Sequence, residues 1–526
     1  MQAGPLCAFQ HWKDAQITLN HAMQHYLDST VALRSHLYDG TSSAEHHLVW
    51  STLTETWLHN SPIADKHSTL VRAQVYLDQM RNSMIPINKF PLELLLRIFR
   101  FVAFSTSDSR STLPSHQEDY RDLLAATHVC SYWRNILAGT PLFWSRFDFD
   151  TRNTLEAECE RGTLYSNRAR GTSQSLFIEE RVARYFHHRD FDDIRPLFQP
   201  RLDRLTRLAI LNFSCLRLVR QTIQYWLKHG IPGVLDTLTI QMDSDIEITE
   251  PIQTQGSEST ELALPILESV RSLSLSGVIF PWDSPVYHNL LQLHIGGIPY
   301  DISPHIHHIL DVLSACPLLQ ELKISKMAIL QCDQVPIKPV YLMQLERLEL
   351  VDLTYGSLNF LLPVIFPQSN DLSVRITALS LDDQIVSAVH SFLSRTSVTQ
   401  LYVQQDFIAR CLSAVPNVRA LVIDLKEQPE DTCLSEFSYI DPSSNTRIPR
   451  CPNLRALHLH SGSVPIEAIR EAIEAHPSIQ KLRFSACYIE PFEDELLYWL
   501  KPHVDDIRFD LRLDEVAVSD WSHTMI

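Results

Sequence analysis

The sequence predicts a mixed α/β chain: an all-α N-terminal region followed by a curved solenoid with a parallel sheet on its concave face. Three observations carry that prediction. A six-residue pattern, apolar-x-x-Leu-x-apolar, recurs twelve times between Leu205 and Phe509. Helix-like stretches separate the copies, among them Asp301–Ala315, Asp383–Leu393 and Pro465–Ala475. Upstream of the repeats the apolar residues fall instead at helical spacing.

Residues 1–86 read as a helical region. A helix over 11–39 carries Leu19, Met23, Tyr26, Thr30, Leu33 and Leu37, spaced 4, 3, 4, 3 and 4 residues apart, and ends at Asp39-Gly40. A shorter helix is expected over Glu45–His59. Another follows Ser61-Pro62, with Ile63, Leu70, Leu77 and Met84 every seven residues and polar His67, Gln74 and Arg81 between them. A hairpin folded within the chain and self-association through these helices both satisfy the pattern.

Residues 87–147 predict three short helices with a greasy side. Pro91 suits a first helical turn, where its missing N–H costs nothing. Eight apolar residues then crowd into eleven positions, Leu92 to Val102, so that helix must be covered on more than one side. Ser115 and Glu118 form a capping box for a second helix running to Val129. A third passes Trp133, Ile136 and Leu137 and stops at Gly139, expected to be left-handed. The segments FPLELLLRIF (90–99), DLL (122–124), VCSYWR (129–134) and PLFW (141–144) follow one another in order. This stretch resembles the F-box, with Phe90 in place of the usual leucine and a longer insert near Ser105–Gln117. The resemblance implies docking on the Skp adaptor of a cullin–RING ubiquitin ligase. It assigns that contact to Pro91, Leu92, Leu94, Ile98, Phe99, Leu123, Leu124, Val129, Trp133 and Trp144. The order of helices, F-box and repeats also resembles F-box proteins of mushroom-forming fungi.

A connecting region over 148–200 holds a degenerate copy at Leu176-Phe-Ile178, the solenoid proper spans 201–515, and 516–526 is a tail. The middle residues of the twelve copies are Leu208, Leu238, Leu273, Leu293, Leu322, Leu348, Leu379, Leu401, Leu421, Leu457, Leu482 and Ile507. Residues two apart on a strand face the same side. No unit buries that face alone, so neighbours stack. Prolines at 317, 416, 452 and 477 stop the preceding helix just before the next strand. The array resembles the leucine-rich repeat. The asparagine of its common consensus is mostly missing, which predicts irregular loops after the strands. Residues beside the inward leucines would line the concave face, with Arg347, Tyr402, His458, Lys481, Arg483 and Arg508 the candidates for holding a protein target.

A net charge of −17 argues against nucleic acid and anionic membranes as partners. No apolar run is long enough to span a bilayer, and no signal peptide is expected at the start. Ten scattered cysteines without a C-x-x-C pair read as buried thiols of a reducing compartment, cytoplasm or nucleus. No phosphate loop, nucleophile elbow or zinc-protease motif occurs, so neither catalytic residue nor cofactor is assigned. His305, His307 and His308 read as a wet helix face rather than a metal site. The arginine-rich stretch 161–220 reads as a solvated surface and the acidic stretch 243–261 as a flexible loop. The expected function is that of a ligase substrate receptor. The alternatives are a ligase-independent interaction scaffold and an enzyme on an α/β scaffold, the latter disfavoured by the twelve recurrences.

Overall fold

The computed structural model describes residues 5–38, 71, 82, 85–104, 117–151, 153–180, 191–243, 250–252, 260–331, 338–379, 383–425, 434, 437–440, 443, 447–490 and 493–510. The chain divides into two units, Met1–Phe90 and Pro91–Ile526. In the first, one helix spans Pro5–Tyr38, longer at its N-terminal end than predicted, and a 3-10 turn spans Pro86–Lys89. The helix expected over 45–59 lies outside the described residues, and of the one expected after Pro62 only Val71 and Asn82 are described, both helical.

The second unit opens with helices Leu92–Phe104, Gln117–Val129 and Ser131–Gly139 and a 3-10 turn Pro141–Trp144. Ser115 of the expected capping box lies outside the described residues. Strands follow in the order β1 (Arg146–Asp150), β2 (Gln174–Glu179), β3 (Leu205–Phe213), β4 (Thr237–Met242), β5 (Ser272–Ser276), β6 (Gln292–Gly296), β7 (Glu321–Ser325), β8 (Val340–Leu342) and β9 (Arg347–Leu353). The remainder are β10 (Ile365–Pro367), β11 (Leu372–Ala378), β12 (Val398–Gln404), β13 (Ala420–Asp424), β14 (Ser438–Ile440), β15 (Arg447–Pro449), β16 (Ala456–Pro465), β17 (Lys481–Glu490) and β18 (Asp506–Asp510). Fourteen of these form one sheet in strict chain order, with β8/β10 and β14/β15 as two separate pairs. Each neighbouring pair in the large sheet is parallel and joined by a crossover, which makes a leucine-rich-repeat-like solenoid.

The register aligns the middle leucines into one ladder. Leu208, Leu238, Leu273, Leu293, Leu322 and Leu348 pair in succession, and Val374, Leu401, Leu421, Leu457, Leu482 and Ile507 continue the row. From Leu208 through Leu482 these side chains are almost completely buried. Burying each such side chain is worth about 1.5–3 kcal/mol.

Two boundaries differ from expectation. The sheet starts at Arg146, inside the segment assigned to the three helices, because Phe147 and Phe149 fill the slots that Leu176 and Ile178 occupy on the next strand. β1 and β2 are therefore strands of the same sheet as the later copies. The copy read at Ile376, Leu379 and Leu381 is also out of register. Ile376 pairs with Leu350 and Val374 with Leu348, while Leu379 lies past the strand end and is 67% exposed. A valine in the leucine slot hid the true copy.

The backbone just past the middle leucines is more regular than the sequence suggests, inside some strands and just beyond others. Asn212, Gly277, Gly297, Lys326, Asp352, Ser461 and Ala486 all have left-handed backbones, and each stands four residues after its strand's middle leucine. One turn geometry thus recurs under six residue types, so no consensus letter marks it. At Gly277 (φ +70°) an added Cβ would also lie 3.2 Å from the Cβ of Met242. Gly277→Ala is therefore expected to cost about 1–2 kcal/mol, the penalty of a left-handed L-residue, read as a lower urea midpoint.

The cysteines are free thiols among the described residues, and Cys316, Cys411 and Cys451 are buried. Burial pushes their thiols up to about 11, about 12 and about 12. At pH 8 a thiol reagent should label exposed Cys7 promptly and these three only on unfolding. Peptide mapping of the labelled protein checks this, and prompt labelling of Cys411 would contradict the packing.

Candidate protein-interaction surfaces

The first surface is built by the three-helix segment. One side of helix Leu92–Phe104 buries Leu95, Phe99 and Ala103. Leu94, Ile98 and Phe101 fall at i, i+4 and i+7, on the opposite side. Leu94 is 48% and Phe101 63% exposed. Leu92, Val129, Tyr132 and Leu142 are exposed as well. Large apolar groups gathered in water on so short a helical segment make it a candidate interaction surface.

The ten residues assigned to adaptor binding divide accordingly. Pro91, Leu92, Leu94 and Val129 are exposed, and Ile98, Leu124 and Trp133 are half-buried. Phe99, Leu123 and Trp144 are buried in the free chain. Phe99 meets Trp133 edge to face at 4.9 Å between ring centroids. The Trp144 indole Nε1–H donates to the Leu137 carbonyl at 2.8 Å, and its ring stands edge-on to Tyr165 at 4.8 Å. Arg168 lies over that ring at 4.3 Å. Trp144 thus fastens the helices to the first crossover of the solenoid. Phe101, Tyr132 and Leu142 were missed by the motif, although Phe101 lies one helical turn beyond Ile98 and was findable from spacing.

The third helix also ends differently. Gly139 is not left-handed. Thr140 turns extended (φ −102°, ψ 106°) and its N–H bonds the Leu137 carbonyl. Thr140 precedes Pro141, which forces the extended conformation and makes a left-handed glycine unnecessary.

Part of the arginine-rich stretch is core rather than solvated surface. Arg201 is 1% exposed, lies over Phe147 at 4.8 Å and donates to the carbonyls of Leu197 and Gly162. Burial, reinforced by Arg161, lowers its guanidinium to about 10. Glu158 is equally buried and accepts from the Asp150 N–H at 3.0 Å, from Asn153 Nδ2 at 2.8 Å and from Arg161. These groups satisfy one another beneath β1.

The second surface is the sheet face opposite the leucine ladder. His294, Lys323, Glu349, Arg375, Tyr402, Val422, His458, Arg483 and Arg508 align across nine strands. The middle of the face pairs internally. Arg347 reaches Glu321 at 3.1 Å, Lys323 reaches Glu349 at 3.3 Å, and Arg375 lies over the Tyr402 ring at 4.3 Å. Tyr402 donates to Asp424 at 3.2 Å and packs with Ala420, Val422 and Ala456. Burial, with Asp424 adding to it, pushes the Tyr402 phenol up.

Of the six target-binding candidates, Tyr402 and His458 are only 1% exposed. Arg375 covers the Tyr402 ring, and His458 Nε2 is engaged with Ser485 Oγ at 2.9 Å. Arg347 is largely covered in its pair with Glu321. Lys481 and Arg483 are half-buried and Arg508 is exposed, with Asp506 3.1 Å from its guanidinium. Such an exposed ion pair is worth about 0–1 kcal/mol, so Arg508 is readily redirected.

The rings of His305, His307 and His308 cluster with centroids 4.1–5.9 Å apart. Burial, with the two neighbouring imidazoles, lowers His308. Among the described residues no group of three or more His, Cys, Asp or Glu is placed to hold a metal, and no helix is long and apolar enough to cross a membrane.

No protein-family model matches the chain, and no curated protein matches it. Among solved structures it is similar to a chain in the crystal structure of the Rad7 and Elc1 complex in yeast, with 13% identity over 87% of this chain and 100% of that one and a TM-score of 0.39. It is also similar to the leucine-rich repeat-containing protein LegL7 from Legionella pneumophila, with 11% identity over 66% of this chain and 90% of that one and a TM-score of 0.31. A third is a chain of the TLR13–ssRNA13 complex, with 14% identity over 66% of this chain and 43% of that one and a TM-score of 0.30. None of the three assigns this chain an activity.

Proposed function

We propose that the chain is an F-box substrate receptor that docks on the Skp adaptor of a cullin–RING ubiquitin ligase and presents a protein target bound to its solenoid. The observation that carries this reading is the exposure of the large apolar residues Leu92, Leu94, Phe101 and Val129 on the segment whose sequence follows the F-box pattern. Pro91, with Ile98, Leu124 and Trp133 at half burial, completes the adaptor contact. Lys481, Arg483 and Arg508, and Arg347 farther along the same face, receive a target in this reading, and basic donors suit an acidic segment. The receptor's own contribution is proximity and orientation rather than a reacting group. Its place is the cytoplasm or nucleus, where adaptor and target meet.

Co-expression with a Skp adaptor and a cullin tests the reading. The expected result is a complex of all three that survives gel filtration. Capture of the adaptor without the cullin would favour a ligase-independent scaffold, and capture of neither would overturn the proposal.

A further inference from the structure

The helix Pro5–Tyr38 has 34 residues and runs for about 51 Å at ~1.5 Å per residue. Every side chain described along it is exposed, including Phe9 at 59%, Trp12 at 41%, Met23 at 55% and Tyr26 at 59%. Helices in proteins draw most of their stability from covering an apolar face, and the described apolar side chains of this one are exposed. Its apolar residues follow a heptad from end to end. With Met23 at position a, Phe9, Gln16, Thr30 and Leu37 also fall at a, while Trp12, Leu19, Tyr26 and Leu33 fall at d. Seven of the nine seam positions are apolar.

We propose that this seam pairs with the same seam of a second copy of the chain as a parallel, in-register, two-stranded coiled coil. Three arguments select that occupant. The first is area: seven apolar side chains, at roughly 60–120 Å² each, bury on the order of 600 Å² per copy, or about 1,200 Å² in all, within reach of a specific interface. The second is the polar layer at Gln16. In register it meets Gln16 of the other copy, and each amide both donates and accepts. Antiparallel pairing sets it against d residues such as Tyr26 and leaves the amide without a matched partner. The third is charge. Positions e hold Lys13 and Arg34, whereas positions g hold Ala8, Ala15, Ala22, Ser29 and His36. Parallel pairing apposes e with g and meets no strong like-charge pair. Antiparallel pairing apposes e with e and drives Lys13 toward Arg34. The proposal does not depend on adaptor binding.

Sedimentation of the full chain from about 1 to about 50 μM, where dimers follow mass action, tests it. The expected species has twice the 60.4 kDa chain mass. Leu19→Asp with Met23→Asp should return it to a single copy while the near-ultraviolet spectrum of the solenoid is kept. A Gln16→Cys variant should form a disulfide-linked dimer under mild oxidation. The wild type should not do so through Cys7, which is exposed but sits at the outward position f. A wild-type mass of 60.4 kDa throughout, a dimer indifferent to the two aspartates, or a Gln16→Cys dimer that fails to cross-link would each overturn the proposal.

Discussion

The double variant Leu94→Asp with Val129→Asp is expected to lose adaptor binding by at least ~100-fold while unfolding within about 0.5 kcal/mol of wild type. Both side chains are exposed, 48% and 60%, so neither holds the fold. On an interface, each would sit in an apolar pocket of the adaptor, and an aspartate there is a desolvated, unpaired charge. Every ~1.4 kcal/mol lost is a factor of ten, and two such sites account for the expected drop. Binding is checked by titration of purified adaptor, and stability by urea unfolding of the free chain. A loss of binding that came with a loss of stability would instead mean that these residues belong to the core.

Trp144→Ala should behave in the opposite way. It is expected to destabilise the helices and first strands by about 3–5 kcal/mol, the usual cost of emptying a large aromatic site. The side chain is 2% exposed and wedged among Tyr165, Arg168 and the Leu137 carbonyl. Trp144→Phe should retain most of the packing and lose the indole donor, leaving the Leu137 carbonyl unsatisfied at a cost of about 1–3 kcal/mol. Because solenoids need not unfold in one step, the loss should appear as an early urea transition confined to the N-terminal strands. Hydrogen exchange of β1 and β2 would locate it. An early transition that spared β1 would show that Trp144 does not join the two parts.

These two outcomes separate residues that the F-box pattern lists together. The pattern reads identity and spacing, and so it marks Phe99, Leu123 and Trp144 alongside Leu94 and Val129. It does not say which side of a helix is covered, and only packing against Trp133, Leu137 and Tyr165 decides that. The solenoid was largely legible, because Leu-x-Leu spacing maps directly onto strand periodicity. Where other apolar residues take the leucine slots, as at Phe147, Phe149 and Val374, the copy was missed or misplaced. The left-handed positions four residues past the middle leucines were invisible for a related reason: a positive φ recurs there while residue type does not. On the open face, alternation correctly named the outward residues. Their exposure depends on their neighbours across the sheet: Arg375 covers Tyr402, and His458 is held by Ser485.

The measurement closest to the central claim is hydrogen exchange of the full chain with and without a Skp adaptor. The account predicts added protection confined to 91–102 and 129–142, with the strands of the solenoid unchanged. Protection that fell on the open face of β16–β18 instead, with Leu94 and Val129 still exchanging freely around them, would contradict it.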